Sequence, residues 1–138
     1  MKKLTLFDYS VEVDLEYTHN WYTQANVWDC SCGHCRNFLA HAERGTLPDT
    51  VLTVLQELRI PPGKATYLSE LYTDDDGVHY QFSYRLSGTI LAAPSQEVTG
   101  LGRCCYEPYP YGAPNFSEPH FDLEFWVTLP WILEESDR

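Results

Sequence analysis

This chain has little positive charge. Nine Lys and Arg stand against 20 Asp and Glu, a formal net charge of −11. Binding a phosphate backbone takes clustered cations, so nucleic acid and anionic membrane surfaces are poor partners. An acidic surface suits solubility, and it suits a basic protein partner. Long apolar runs are missing as well, and no segment approaches the ~20 apolar residues of a transmembrane helix. The start, MKKLTLFDYS, has the basic opening of a signal peptide but no apolar stretch, because Asp8 interrupts it. The expectation is a cytoplasmic protein with no membrane segment. Gly-x-Ser-x-Gly, a phosphate-cradling glycine loop and His-Glu-x-x-His are also lacking. With no catalytic constellation of these kinds, the chain reads as a binding or interaction protein rather than an enzyme.

What is present argues for a folded globule. The chain has 138 residues, 43% of them hydrophobic and 14% aromatic. That length fits one domain over residues 1–138 with a core large enough to need no staples. Tyr9 to Tyr17 alternate apolar and polar with period two, the mark of a strand with one buried face. Trp21 to Trp28 reads as its hairpin partner across a turn at His19-Asn20. Cys35 to Arg44 reads as a helix stopped by Gly45. A second helix carries the stripe Val51, Leu52, Leu55, Leu58, with Thr46 and Asp49 spaced as a capping box and Pro48 in the first turn. Pro61-Pro62-Gly63 ends it.

Strands follow. Tyr67 to Thr73 leads through Asp74-Asp75-Asp76-Gly77, a hairpin turn, into an alternating run from Val78 to Ala92 with a bulge expected at Gly88. A short strand is expected within Leu101 to Tyr106, and a long one from Phe121 to Leu129. The order of elements implies an α+β fold, an antiparallel sheet of about five to seven strands with two short helices packed on one face.

Three of the five cysteines, Cys30, Cys32 and Cys35, fall within six residues at the expected start of a helix. In a reducing compartment clustered thiols serve metal binding or catalysis more often than disulfides, and an odd count leaves one unpaired in any full disulfide set. Helix N-termini favour thiolates. Zinc wants four ligands in a structural site. Cys104 is the candidate fourth ligand, with Cys105, His34 and His41 as alternatives. The competing readings are a redox pair at Cys32 and Cys35, and buried thiols that only pack.

Cys32-Gly-His-Cys35 resembles the active-site motif of protein disulfide isomerases in the thioredoxin superfamily, a likeness covering residues 32–37. That resemblance implies a thiol-disulfide oxidoreductase. The flanks depart from it: Ser31 stands where that family has Trp, and a second helix follows where a strand belongs. A wider pattern joins Cys-x-Cys-x-x-Cys-x-Asn-Phe38, a helix ending in Arg-Ile-Pro-Pro, the strand Tyr80-x-Phe-x-Tyr-x-Leu-x-Gly-x-Ile90 and a terminal Leu-Pro-Trp-Ile-Leu133. Together these resemble a group of small uncharacterised bacterial proteins, and the resemblance implies no activity.

The loop Arg103 to Pro114 is rich in Pro and Tyr; Tyr106, Tyr109 and Tyr111 make it a candidate protein-binding surface. The aspartates at 74–76 lack the spaced oxygens and closing Glu of a calcium loop and read as a solvated hairpin tip. His79 and His120 fall on expected strands at polar or boundary positions, and pairing either with a cysteine nucleophile would require proximity in the fold.

Overall fold

The computed structural model describes residues 1–95, 102–106 and 112–135. Its elements run β1 (Lys2–Leu6), β2 (Tyr9–Val13), α1 (Leu15–Gln24), α2 (Gly33–Arg44), α3 (Asp49–Leu58), β3 (Tyr67–Asp74), β4 (Gly77–Ala92), β5 (Gly102–Cys105) and β6 (His120–Leu129). The six strands form one antiparallel sheet in the order β1-β2-β4-β6-β5, with β3 also paired to β4. This is the expected α+β architecture, with three helices among the described residues instead of two.

The register of β4 on β6 follows from binary patterning. Val78, Tyr80, Phe82, Tyr84 and Leu86 face Leu129, Val127, Phe125, Leu123 and Phe121 on one side of the sheet. His79, Gln81, Ser83 and Arg85 face Thr128, Trp126, Glu124 and Asp122 on the other. A slip of one residue would turn the apolar set of β6 onto the polar face, so that shift is excluded. Phe38 of α2 lies on the apolar side, its ring 4.8 Å from Phe82 and 5.8 Å from Tyr80. Burying a side chain of this size stabilises the fold by roughly 1.5–3 kcal/mol. Val51, Leu55 and Leu58 of α3 and Tyr22 of α1 complete the same core.

β4 is long enough to serve two neighbours on one edge, β3 up to Ser83 and β2 from Gly88. Side chains fill the gap between them. Arg85 N–H donates to Thr66 Oγ1 (3.1 Å), Tyr22 O–H donates to Arg85 O (2.8 Å), and Ser87 N–H donates to Thr18 Oγ1 (3.1 Å). Each buried backbone group is thereby satisfied without a strand. Gly88 stands where β2 comes closest: at φ 148° a Cβ there would lie 1.9 Å from Glu12 O. The register irregularity expected at Gly88 falls three residues later in β4: Ser10 pairs with Ala92 and Val11 with Ile90, leaving Leu91 as the extra residue.

Three other expectations are corrected. The first strand stops at Val13, because Asp14 caps a helix: its carboxylate accepts from Tyr17 N–H at 2.9 Å. Residues read as a second strand from Trp21 belong to the end of α1 and an irregular segment after it. The true hairpin partner of β2 is β1, joined through Phe7 and Asp8 at φ 50° and 67°. Thr46 makes no capping box, since Pro48 holds the N-cap position of α3 and Thr46 Oγ1 lies 2.7 Å from His41 Nδ1.

Candidate metal centre

Cys32 is the N-cap of α2, Cys35 lies in its first turn, and Cys30 sits in the irregular approach. One sulfur from each comes within 4.8 Å of the other two. Tetrahedral zinc with Zn–S near 2.3 Å places its sulfurs about 3.8 Å apart, so a contraction of under about an ångström gives a three-thiolate face. The cluster is graded in exposure: Cys32 exposed, Cys30 half-buried, Cys35 buried.

The start of α2 is held firmly. Tyr80 O–H donates to His34 O (2.7 Å). Asn37, fully buried, donates through Nδ2 to Tyr80 Oη and to Pro130 O, both at 3.3 Å, and accepts at Oδ1 from Ile132 N–H at 2.9 Å. One turn later His41 Nε2 donates to the same Pro130 O at 2.8 Å. Residues i and i+4 share a helix face, and here both grip the chain leaving β6. Trp131 then packs on the first turn: a Cβ on Gly33 would sit 3.2 Å from its ring, and His34 meets it edge-on at 6.0 Å. The Asn-Phe of the cysteine motif and the terminal Pro-Trp are thus two halves of one contact.

Trp28 Nε1–H donates to Cys35 Sγ at 3.3 Å. Burial first, then hydrogen bonds with Cys30 and Cys32, push the Cys35 thiol up to about 12, against the pull of Trp28. Cys32 goes the other way. Its small burial opposes ionisation, but the N–H groups of Cys35 and His34 and the neighbouring thiols outweigh it and bring its pKa below the ordinary value. As a thiol it makes no capping hydrogen bond; as a thiolate it would meet the free amides of the first turn.

Cys104, the expected fourth ligand, is not in this group. It lies buried in β5 opposite Leu123 on the apolar side of the sheet, its thiol pushed up to about 12 by burial and by Cys105. Cys105, His34 and His41 are outside the group too. His34 Nε2 is 3.8 Å from Glu70, and His41 is committed to Thr46 and Pro130. The strand-to-helix turn is a helix N-terminus approached by irregular chain. Tyr109 and Tyr111 lie outside the described residues; Tyr106 is exposed and accepts from Ile90 N–H at 2.7 Å. The acidic hairpin tip closes on itself, with Asp76 N–H donating to Asp74 at 2.9 Å.

Sequence reasoning missed a second charged cluster, on the polar side of the sheet. Arg85 pairs with Asp122 through two hydrogen bonds of 3.0 Å, and Arg103 pairs with Glu124, the nearest contact 3.1 Å. Asp122 and Glu124 are 1% and 0% exposed. Burial lifts the Asp122 carboxyl above the usual range, and Arg85 reverses this only in part. Strict alternation marks these residues as the polar face, but cannot say that the face is covered.

Comparison with protein-family models, with curated proteins and with solved structures finds no match to this chain.

Proposed function

We propose that this is a non-catalytic binding protein that carries a zinc ion at Cys30, Cys32 and Cys35. The observation that supports it is the convergence of three sulfurs within 4.8 Å at the start of a pinned helix. Thiolates suit soft and borderline ions, and zinc brings no redox chemistry of its own. The ion would tie the irregular chain before α2 to the helix, which otherwise holds it through little more than Trp28, Arg36 and the first-turn amide. The fourth position falls to solvent or to a partner's side chain, on the side of exposed Cys32. The partner in this reading is a basic protein met by the acidic surface, in a reducing cytoplasm that keeps the thiols free.

A second reading rests on the asymmetry of the pair. Cys32 is exposed with a lowered pKa and Cys35 buried with a raised one. In a thiol-disulfide oxidoreductase the Cys32 thiolate attacks a substrate disulfide and expels one thiolate. Cys35 then displaces the second, leaving a Cys32–Cys35 disulfide and a reduced substrate.

Cobalt substitution separates the two. A three-thiolate site gives sulfur-to-cobalt charge-transfer absorption, lost in Cys30→Ser, whereas the redox pair does not need Cys30. Absence of that absorption at stoichiometric cobalt removes the metal reading.

A further inference from the structure

A cleft of about 730 Å³ opens beside the cysteine cluster, between α1, the chain leading to α2, and residues 112–115. That size lies within the ~300–1,000 Å³ of small-molecule sites. Its walls are fixed to each other. Trp21 Nε1–H donates to Pro114 O at 3.3 Å, Ser117 N–H donates to Tyr17 Oη at 2.9 Å, and Phe116 packs against both aromatic rings at 5.5 and 5.0 Å. Gly112 is pressed so closely onto Thr66 that a Cβ there would overlap Thr66 O. Trp28 closes the end of the cleft nearest the cysteines.

The lining has a definite chemistry. Tyr17, Trp21 and Trp28 supply aromatic surface. Asn20, Gln24, Asn26 and Asn115, which carry carboxamides, line the same space, with Asp29. Asn20 and Gln24 are one helical turn apart on the face of α1 that also bears Tyr17. A carboxamide offers donors and acceptors side by side, which matches a hydroxyl that does both. No Lys, Arg or His lines the cleft among the described residues. An anion would find no counter-charge there, on a chain of net charge −11.

From this lining we infer that the cleft is a binding site for a neutral saccharide residue. The ring's C–H face lies on the aromatic side chains and its hydroxyls bond the carboxamides and Asp29. The site is separate from the metal centre and shares only the Trp28 wall with it.

Saturation-transfer difference NMR on the full chain tests this. The probes are the methyl glycosides of glucose, galactose, mannose and N-acetylglucosamine, with choline and inorganic phosphate as charged controls. At least one glycoside is expected to show transfer, strongest at its ring C–H protons. The double variant Asn20→Ala/Gln24→Ala removes only exposed side chains and is expected to weaken that binding at least about tenfold, equivalent to one or two lost hydrogen bonds. Asp29→Asn, outside any helix, is expected to weaken it severalfold and serves if the double variant misfolds. No transfer to any of the glycosides, transfer unchanged in the variants, or preferred binding of choline or phosphate overturns the assignment.

Discussion

Asn37→Asp is the sharpest single perturbation of the scaffold that holds the cysteines. The two side chains have the same shape, so packing is untouched, but Nδ2 becomes an acceptor. The native Nδ2 donates to Pro130 O and Tyr80 Oη, both 3.3 Å away at a fully buried site. The aspartate loses both donors and sets a carboxylate oxygen against the Pro130 carbonyl. Tyr80 can turn its proton towards the new carboxylate only by abandoning His34 O. An uncompensated buried charge costs about 3–5 kcal/mol, a large part of the ~5–15 kcal/mol of a typical domain. The carboxyl escapes by taking a proton, so its folded pKa rises above the ~3.9 of the unfolded chain. Between those two values the native state binds more protons than the unfolded one, and stability falls as pH rises. Urea unfolding of the variant and the parent, at several pH values from about 4 to 8, reads this directly. The expected deficit is about 1 kcal/mol at the acid end, where the protonated carboxyl still donates one bond, growing to about 3–5 at neutrality. A deficit under about 0.5 kcal/mol, or one independent of pH, would refute the reasoning.

Other outcomes follow from the same structure. Tyr22→Phe removes the hydroxyl that satisfies Arg85 O in the gap of the sheet and should lower stability by about 1–3 kcal/mol by chemical denaturation. Tyr22 and Tyr84 are buried, and burial raises both phenols well above 10. Their stabilisation is therefore complete below about pH 10 and declines above it, by up to about 1.4 kcal/mol per pH unit for each group, followed by tyrosinate absorbance during alkaline unfolding. Arg85→Met alone should destabilise by about 3–5 kcal/mol by stranding Asp122, while Arg85→Met with Asp122→Leu should recover much of the loss in a double-mutant cycle. Zinc binding must displace the Cys35 proton, since that thiol is pushed up to about 12. Apparent affinity should then rise at least about tenfold per pH unit near neutrality, measured by chelator competition.

The parts of the fold legible in sequence were those where one period had no rival. β4 and β6 alternate cleanly, and their apolar sets fall opposite each other. α2 shows an apolar face and a left-handed Gly45 stop at φ 71°. α1 was hidden because Leu15 and Tyr17 continue the alternation of β2 and also fit a helix, so only the Asp14 cap decides between them. β1 was hidden because its turn puts Phe7 and Asp8, not glycine, at positive φ. At the site, Cys30, Cys32 and Cys35 were legible because neighbours in sequence are confined near one another. Cys104 was not, since its distance from them depends on which strand β5 joins and which way it faces. Asn37 showed only as a letter of the motif and His41 only as an alternative ligand; their partner, Pro130 O, lies some ninety residues away.

The most direct measurement is native mass spectrometry of protein purified under reducing conditions with neither metal nor chelator added. One zinc per chain, released on acidification and absent from Cys30→Ser and Cys35→Ser, is the expected result. A metal-free chain with five free thiols that takes up no zinc when it is supplied would contradict the metal centre.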